Sequence, residues 1–484
     1  MLSLILVALQ NPKQKKVVKV VKKVAKPSKT IAEMAQNELC LVDSIIPDEP
    51  PIVSFFGNGN CSKSDKLNIY MNGTHNNVEK DLYKAAGFKF VQNFEEQAHL
   101  IACTIGCFTN KSLNVNHVMK SQSPGSTAFV NKDHLDKNIK QFEALHPESH
   151  SIIPKTFTIP EELDQLKKDN ETWPGFYIRK PSSSARGIGI ELTKYLEEME
   201  YAEPAIVQRY EDDLVLVNGF KFDMRVYVLV TNMDPYVAYF YPEGLARFAT
   251  HQFQKPSFEN YKDAKMHLTN FAINSADHLI KDLGDGMMNK WKLSELLDYL
   301  PQHPELFDQN VTITKPKLLK EIQKTLEIAL TATYNESLKI AGRKRNPNYP
   351  TKYFGVYGAD LALQKNGKMK IFEVNLGPSL DTSNQLDFEV KFPMLREALD
   401  LVGLRVSKFT FKQQLEDEAA WEGVFDDTLL IEEKRVLMQL VDEGLRQHKW
   451  IRLEMEEKLG ETGRWNKFVQ LNKEKIQKEI QKWL

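Results

Sequence analysis

The feature that most constrains the fold is a series of short strand-like runs between Phe176 and Leu401. Several runs alternate apolar and polar residues, and Asn, Gly, Asp or Pro turns join them, a pattern typical of antiparallel strands. In order, the runs read FYIRK, IGIEL, AIVQRY, FDMRVYVLVT, YVAYFY, FGVYGADLAL and MKIFEVNL. Two segments with helical spacing interrupt them, KLSELLDYL and KLLKEIQKTLEIALTATYNESLK. The sequence therefore predicts an α+β fold with mixed or antiparallel sheets flanked by helices.

Shifts in composition predict the domain organisation. Residues 1–29 contain eight Lys and no acidic residue, and we expect residues 1–66 to form a flexible basic arm. From Leu67 onward the segments LNIYM, NVEKDLYKAAG and FKFV follow as strand, helix and strand, which predicts a small N-terminal β-α-β domain. We place this domain at residues 67–122, a central domain at 123–216, a C-terminal catalytic domain at 217–411 and a helical extension at 412–484.

Overall composition excludes several classes of protein. The chain has 64 Lys and Arg against 65 Asp and Glu, so its net charge predicts no nucleic-acid partner. No apolar run reaches about 18 residues, so we expect no transmembrane helix. The four cysteines have no CxxC spacing, which favours a reduced, cytoplasmic chain.

The segment over residues 177–190 is the first candidate site. It reads YIRKPSSSARGIGI, a strand that bears Lys180, a loop of small residues, and then Arg186 with Gly187 and Gly189. Such a loop lets backbone N–H groups approach phosphate oxygens, while Lys and Arg supply positive charge. A simple hairpin turn would look the same, and the segment is neither a Walker loop nor a kinase loop.

A charged strand forms the second candidate. Alternation with period two puts Lys221, Asp223 and Arg225 on one face. An exposed salt-bridge ladder is the alternative interpretation, but the flanking VYVLV is typical of a central strand. Arg247 follows on the next hairpin arm. A third polar group, which alone could be a helix cap, follows the loop over 251–266: His267, Thr269 and Asn270.

The segments YGAD and FEVN carry the strongest signal. The QKNGKM turn joins them, so a hairpin can bring Asp360, Glu373 and Asn375 together, with Glu373 and Asn375 on one face. Hard oxygen ligands of this kind suit Mg²⁺, which usually keeps waters and bridges substrate phosphates. Two carboxylates buried in apolar strands without a cation would be costly. The sequence therefore predicts a magnesium site on this hairpin.

Taken in order, these motifs closely resemble the tubulin tyrosine ligase-like family of ATP-grasp amino-acid ligases. The resemblance covers about residues 67–405 and includes RKPSSSARGIGI, MHLTNFAIN, NKWKLSELLDYL and FEVNLGPSL. The segments LVNGFKFDMRVYVLVT and GLARFAT are more similar to the polyglutamylase branch than to the founding tyrosine ligase. The resemblance implies an ATP-grasp architecture in which ATP lies between the central and C-terminal domains.

The resemblance also implies roles for individual residues. It places Gln208 to Tyr210 at the adenine and Asp223 at the ribose. The nucleotide contacts that it implies are, in full, Lys180, Arg186, Gly187, Gly189, Gln208, Arg209, Tyr210, Lys221 and Asp223. The γ-phosphate and the reacting carboxylate would be held by Arg225, Arg247, His267, Thr269 and Asn270. Magnesium would be carried by Asp360, Glu373 and Asn375.

The activity that the resemblance implies is addition of glutamate to acidic tubulin tails through an acyl phosphate. The expected cofactors and partners are ATP, Mg²⁺, tubulin or microtubules, and free glutamate as the donor. We expect a monomer. Its expected location is the cytoplasm, in association with the cytoskeleton, including the cilium, flagellum or basal body. We also expect the basic arm to aid binding of the acidic tails. Three alternatives stay open: glycine as the donor, an acidic acceptor other than tubulin, and a catalytically silent tubulin-binding adaptor.

Overall fold

The structure is a computed structural model that contains sixteen strands and twelve α-helices in the part of the chain it describes. The described residues are 40–42, 44–46, 52–55, 67–72, 77–86, 88–92, 100–103, 119–120, 123–147, 151–182, 187–199, 203–274, 290–344, 353–382, 384–404, 425, 428–455 and 464–483. The strands are β1 (Cys40–Val42), β2 (Ile52–Ser54), β3 (Leu67–Asn72), β4 (Phe88–Val91), β5 (Leu100–Cys103), β6 (Met119–Lys120), β7 (Thr156–Ile159), β8 (Tyr177–Pro181), β9 (Glu191–Thr193), β10 (Ala205–Arg209), β11 (Phe222–Met233), β12 (Tyr236–Phe248), β13 (Lys290–Lys292), β14 (Gly355–Leu363), β15 (Met369–Asn375) and β16 (Ile451–Arg452). The helices are α1 (Asn77–Ala85), α2 (Thr127–Val130), α3 (Lys132–Leu145), α4 (Leu163–Thr172), α5 (Ala264–His267), α6 (Phe271–Asn274), α7 (Leu293–Tyr299), α8 (Lys315–Lys344), α9 (Gln385–Val402), α10 (Ile431–Leu445), α11 (Arg464–Leu471) and α12 (Lys473–Trp483).

A six-stranded antiparallel sheet forms the centre of the fold. Its order is β13-β12-β11-β14-β15, and β16 also pairs with β12. Along β11, Val226 and Val228 pack in one core cluster and Tyr227 and Leu229 in another, because successive side chains point to opposite faces. Helix α8 covers the first face and α9 the second. The predicted antiparallel pairing and the α+β class are confirmed.

A second antiparallel sheet, of order β7-β10-β8-β9, lies beside the central one. In its register Lys180 on β8 is paired with Ile206 on β10, and Gln208 on β10 with Ile178 on β8. Both strands are almost fully buried, so their polar side chains sit at defined positions. This sheet forms one side of the cleft described below, and the central sheet forms the other.

The N-terminal part contains a four-stranded parallel sheet, of order β4-β3-β5-β6, with α1 between β3 and β4. This is the β-α-β arrangement expected from residue 67 onward. The sequence predicts a flexible arm over residues 1–66. The described part of this segment instead forms two strands, β1 and β2, which pair with each other, and Val53 and Phe55 are buried. The backbone N–H groups of Val53 and Phe55 donate to the Leu404 carbonyl at 2.7 Å and to Asp400 Oδ1 at 2.8 Å. The basic residues 1–39 lie outside the described residues.

The C-terminal segment is joined to the central sheet by a strand as well as by helices. Tyr239 on β12 pairs with Arg452 on β16, and the Thr231 hydroxyl donates to Glu443 Oε2 at 2.8 Å. The sequence predicted only helices here, and a strand of two residues carries too little periodicity to be recognised. Among the described helices, none is long and apolar enough to cross a membrane.

Candidate active site

The candidate active site is a cleft between the two antiparallel sheets. Most of the predicted site residues line it: Lys180, Gly187, Gln208, Arg209, Tyr210, Lys221, Asp223, His267, Thr269, Asn270, Asp360 and Glu373. Arg225, Arg247 and Asn375 lie directly behind this lining, in contact with Asp223 or Asp360. Arg186 lies outside the described residues. The structure thus gathers residues that are separated by nearly two hundred positions in the sequence.

Lys180 and Lys221, here called the lysine pair, form the cationic side of the cleft. Lys180 Nζ donates to Gln208 Oε1 at 2.7 Å and to the Phe372 carbonyl at 3.3 Å. Lys221 Nζ donates to the Tyr210 hydroxyl at 2.9 Å and lies 4.2 Å from the centre of the Tyr210 ring. Within the described part of the chain, neither ammonium group forms an ion pair with a carboxylate.

Burial of the lysine pair makes its charge costly. Lys180 is 8% exposed and Lys221 is 4% exposed. Burial lowers the pKa of Lys180 to about 8. Burial, together with the nearby charge of Lys180, lowers the pKa of Lys221 to about 7. Two buried ammonium groups with no carboxylate ion pair among the described residues are destabilised, and an anion bound beside them would stabilise their charged forms.

A cluster of four charged side chains, here called the Arg–Asp quartet, lies next to the lysine pair on the floor of the cleft. It consists of Asp223, Arg225, Arg247 and Asp360. Arg225 binds Asp360 through two hydrogen bonds, of 2.5 and 3.0 Å. Arg247 binds Asp223 in the same way, at 2.7 and 2.5 Å, and also reaches Asp360 Oδ2 at 2.9 Å. Two cations and two anions therefore balance inside the cluster.

The quartet follows from strand register. Arg225 on β11 is paired with Asp360 on β14, and Asp223 on β11 is paired with Arg247 on β12. Burial alone would raise the pKa of Asp360, but Arg225 and Arg247 outweigh it and hold the pKa at about 2. The Thr269 hydroxyl also donates to Asp223 Oδ2, at 2.7 Å. The Asp360 carboxylate is thus held ionised.

The predicted metal residues lie together on the hairpin of β14 and β15. Asp360 is paired directly with Glu373 in the register, and Asn375 Nδ2 lies 3.5 Å from Asp360 Oδ2. The Glu373 carboxylate forms an ion pair of 2.9 Å with Lys132, at the start of α3. Within the described residues, no three His, Cys, Asp or Glu side chains are arranged to hold a metal ion. Two carboxylates and an amide fit Mg²⁺, which takes its other ligands from water and phosphate.

His267 supports the lysine pair through a chain of hydrogen bonds. Its Nε2 lies 3.0 Å from the Asn260 carbonyl, which can only accept, so Nε2 carries the hydrogen. Its Nδ1 therefore accepts from the Tyr210 hydroxyl, at 3.1 Å, and that hydroxyl accepts from Lys221. Burial and the charge of Lys221 lower the pKa of His267 below its usual value. A neutral His267 thus orients Tyr210, and Tyr210 orients Lys221.

Two glycines of the small-residue loop have a backbone conformation that favours glycine. Gly187 has a φ of +81° and Gly189 a φ of +71°. A Cβ atom at Gly187 would come within 2.8 Å of Ile273 Cδ1. The positive φ of Gly187 therefore favours glycine at this position of the loop beside the cleft.

The Arg209 side chain is engaged away from the lysine pair. Its guanidinium binds Asp169 at 2.9 and 2.6 Å and stacks on Trp173 at 4.2 Å. Gln208 and Tyr210, its neighbours in sequence, make the contacts to the lysine pair. Strand alternation explains the difference, because Arg209 points to the opposite face of β10.

Comparison with known proteins identifies the family of the chain. A family model described as the tubulin-tyrosine ligase family matches residues 109–413, more than half of the chain. The chain belongs to this family. The resemblance identified from the motifs is therefore confirmed.

Named relatives of the tubulin-tyrosine ligase family extend the comparison. The chain is 34% identical over 288 residues to the tubulin polyglutamylase TTLL13 of Mus musculus, covering 58% of this chain and 34% of the relative. It is 30% identical over 347 residues to the tubulin polyglutamylase TTLL6 of Homo sapiens, covering 68% and 37%. It is 29% identical over 385 residues to the tubulin monoglutamylase TTLL4 of Homo sapiens, covering 75% and 30%. The chain spans about a third of the length of these relatives.

Lys132 and Phe372 are among the cleft residues of this family member that the sequence motifs did not predict. Lys132 pairs with Glu373, and Phe372 presents its ring 5.3 Å from Lys180 Nζ and 5.6 Å from Lys221 Nζ. Phe372 precedes Glu373 in the FEVN motif, so its proximity was open to prediction. Lys132 lies 241 positions before Glu373, and nothing local in the sequence signals that contact.

Proposed function

We propose that this chain is an ATP-dependent carboxylate–amine ligase that joins free glutamate to glutamate side chains in the C-terminal tails of tubulin. One observation carries the proposal: among the described residues the lysine pair has no carboxylate in an ion pair with it, and it shares its cleft with Asp360 and Glu373. Such a cleft offers unpaired positive charge and hard oxygen ligands side by side, as a nucleoside triphosphate with Mg²⁺ requires. Family membership supports the ligase reaction, and the names of the relatives support glutamate and tubulin.

The nucleotide would bind between the two sheets. Lys180 and Lys221 would hold phosphate oxygens, and the loop at Gly187 would bring backbone N–H groups close to them. Gln208 and Tyr210 would border the adenine, and Asp223 would contact the ribose. The hydrogen-bond chain from His267 through Tyr210 fixes Lys221 before the nucleotide arrives, which lowers the entropy lost on binding.

Asp360, Glu373 and Asn375 would hold Mg²⁺, which neutralises charge on the phosphates when it is bound. To hold the metal, Glu373 would give up its ion pair with Lys132. The Glu373 side chain is 19% exposed and the Lys132 side chain 10% exposed. Asp360 is already ionised by its arginine partners, so it needs no deprotonation to serve as a ligand.

The reaction has two steps that share one set of cationic residues. A carboxylate oxygen of the acceptor attacks the γ-phosphorus of ATP, which forms an acyl phosphate and releases ADP. The neutral amino group of glutamate then attacks the carbonyl carbon, the new C–N bond forms, and phosphate leaves as the C–O bond breaks. The nitrogen loses its proton to solvent or to the departing phosphate. Arg225 and Arg247, with Thr269 and Asn270 beside them, would hold the γ-phosphate and the acceptor carboxylate and stabilise the developing charge.

Mass spectrometry of tubulin tests the proposal. The chain is incubated with tubulin, ATP, Mg²⁺ and an equimolar mixture of isotopically distinct glutamate and glycine, with the variant Glu373→Gln in parallel. We expect glutamate adducts on the tails with the natural chain and at least about a hundredfold fewer with Glu373→Gln. Glycine adducts, or adducts that the variant forms equally well, would contradict the proposal. Unmodified tubulin together with intact ATP binding would favour the silent adaptor.

A further inference from the structure

Lys132 contacts one of the candidate metal ligands, although it belongs to none of the site motifs. Its Nζ atom forms an ion pair of 2.9 Å with Glu373 Oε1. Both side chains line the active-site cleft, and so does Lys180. The ion pair therefore occupies the carboxylate that the proposed magnesium site needs.

The backbone of Lys132 is held against the hairpin of β14 and β15. Phe129, in α2, is 2% exposed and packs edge-on against Tyr357 of β14, with the ring centres 5.8 Å apart. Leu135, in α3, is buried in the core cluster that contains Val374 of β15. Lys132 lies between these two anchors. Its backbone is thereby fixed, whereas the lysine side chain is flexible enough to change partner.

The position of Lys132 is unfavourable for the helix itself. Lys132 is the first residue of α3, and the Asn131 side chain before it does not cap the helix. The helix dipole places partial positive charge at this end, so a cation here is repelled. The Glu373 carboxylate comes from outside the helix and offsets that repulsion. Helix stability therefore gives no reason for a lysine at this position, whereas contact with the cleft does.

Other carboxylates near Lys132 already hold a donor. In the cleft lining, those of the Arg–Asp quartet bind arginines. Glu211 Oε2 accepts a hydrogen bond of 3.1 Å from Gln364. On α3, Asp136 Oδ2 binds Lys140 at 2.8 Å. If Lys132 released Glu373, it would have to share any of these carboxylates, whereas a phosphate bound in the cleft would bring oxygens of its own.

The charges of Lys132 and Glu373 also act on Lys180. Burial lowers the pKa of Lys180, the charge of Glu373 raises it, and the charge of Lys132 lowers it further. A metal ion that took the Glu373 carboxylate by itself would therefore leave Lys132 beside another buried cation with less negative charge nearby. A triphosphate at the lysine pair would offer oxygens to Lys132 as well as to Lys180.

We propose that Lys132 is a further nucleotide-binding residue, which holds Glu373 before ligands bind and transfers its ammonium group to a phosphate oxygen when Glu373 becomes a metal ligand. This inference rests on the proposed nucleotide and magnesium sites. It makes the two ligands interdependent, because separating the ion pair is favourable only when both of its members gain a new partner. Binding of the metal then strengthens binding of the nucleotide, and the reverse holds by the same factor.

Titration of the full chain with Mn²⁺ alone tests the first half of this exchange. Mn²⁺ prefers oxygen ligands, as Mg²⁺ does, and electron paramagnetic resonance counts its free ions. The relevant site is the one that Glu373→Gln removes. Lys132→Met should bind Mn²⁺ there at least about tenfold more tightly than the natural chain, because Glu373 no longer gives up a charged partner.

Lys140→Met is the matched control for the metal titration. It removes a lysine of the same helix that pairs with Asp136 and Glu162, and it should leave the Kd for Mn²⁺ within about twofold. An affinity of Lys132→Met no higher than that of the natural chain, or no detectable binding by either, would overturn the proposal.

Calorimetric titration with ATP in the presence of EDTA tests the second half. Glu373→Gln removes the carboxylate that Lys132 holds, so it should bind metal-free ATP at least about fivefold more tightly than the natural chain. In a chain that already carries Lys132→Met, the same substitution should give no such gain. A gain of equal size in both backgrounds would show that Glu373→Gln acts only by removing negative charge, and it would overturn the proposal.

A second variant and a nucleotide control complete the test. Lys132→Gln keeps a polar group at this position and should reproduce both effects of Lys132→Met, including where the methionine variant fails to fold. If the natural chain binds no Mg-ATP, the proposed function fails and this inference fails with it. If the natural chain binds Mg-ATP but the Lys132 variants match it in both titrations, this inference alone fails.

Discussion

The lysine pair and the Arg–Asp quartet are neighbours on one cleft, yet they handle buried charge in opposite ways. In the quartet, Arg225 and Arg247 meet Asp360 and Asp223 through near-ideal two-point contacts, so the charges are balanced inside the protein. In the lysine pair, the hydrogen-bond partners that the described residues supply to Lys180 and Lys221 are neutral, and burial lowers the pKa of both. The contrast is between charges that are balanced before any ligand arrives and charges that await one: the quartet is complete within the protein, and the lysine pair gains its charged partner only when an anion binds.

Removing one member of the quartet should have the largest effect. Asp360→Asn leaves Arg225 and Arg247 with one carboxylate between them, and breaking a buried charge network typically costs about 3–5 kcal/mol. We expect the free energy of unfolding, measured by urea denaturation, to fall by that amount. Asp298→Asn is the control, because its ion pair with Lys315 is exposed and worth less than about 1 kcal/mol. A loss below about 1 kcal/mol for Asp360→Asn would show that the quartet is not a stabilising unit.

Replacing both lysines of the pair should leave stability intact and weaken ATP binding. In Lys180→Met with Lys221→Met, two buried charges without carboxylate partners disappear, so the free energy of unfolding at pH 7 should hold or rise. Affinity for ATP should fall about a hundredfold or more, since each charged hydrogen bond is worth about 1.5–3 kcal/mol. Calorimetric titration with Mg-ATP measures this, and Lys167→Met, an exposed lysine on α4, is the control. Loss of stability together with unchanged ATP affinity would show that the lysine pair stabilises the fold and does not bind the nucleotide.

The pH dependence of stability should report Lys221 directly. Its pKa is about 7 in the folded chain and about 10.4 in an unfolded chain, so between these values the unfolded state binds more protons. Stability must therefore rise with pH across this window, and the destabilisation is fully present only below pH 7. From pH 7 to pH 9 we expect the natural chain to gain about 2 kcal/mol more than Lys221→Met does. Parallel curves for the two proteins would show that the pKa of Lys221 is not lowered.

Tyr210 should give the smallest effect. Tyr210→Phe keeps the ring beside Lys221 but removes the hydroxyl that links Lys221 to His267. One hydrogen-bonded group is lost, so we expect about 1 kcal/mol of stability to disappear and the Kd for ATP to rise about fivefold. Tyr195→Phe, at an exposed tyrosine, is the control and should change neither. An ATP affinity equal to that of the natural chain would exclude the hydroxyl from positioning Lys221.

The sequence predicted the parts of this comparison that depend on strand periodicity. Period-two alternation put Lys221, Asp223 and Arg225 on one face, and the turn before Met369 brought Glu373 opposite Asp360. The same rule, applied to β10, would have turned the Arg209 side chain away from Gln208 and Tyr210. The contact between Lys132 and Glu373 was beyond prediction, because it depends on how α3 packs against the central sheet.

The sequence could not predict which buried cations are paired with carboxylates, nor the lowered pKa of Lys221. Lysine and arginine look alike as cations in a motif, and only the register shows that Arg225 and Arg247 are paired while the lysine pair is not. The lowered pKa of Lys221 depends on burial and on the nearby charge of Lys180. Lys180 lies on β8 of the second sheet, whereas Lys221 immediately precedes β11 of the central sheet. Short elements such as β13 and β16 were missed for the same reason, since only their partner β12 defines them.

Proton uptake on nucleotide binding tests the central claim most directly. Calorimetric titration of Mg-ATP at pH 8, repeated in buffers of different ionisation enthalpy, gives the number of protons taken up for each nucleotide bound. If the triphosphate is the missing partner of the lysine pair, binding raises both lysine pKa values, and we expect uptake of about one proton that Lys221→Met strongly reduces. Tight binding of ATP with no proton uptake, or with uptake that the variant leaves unchanged, would contradict the account.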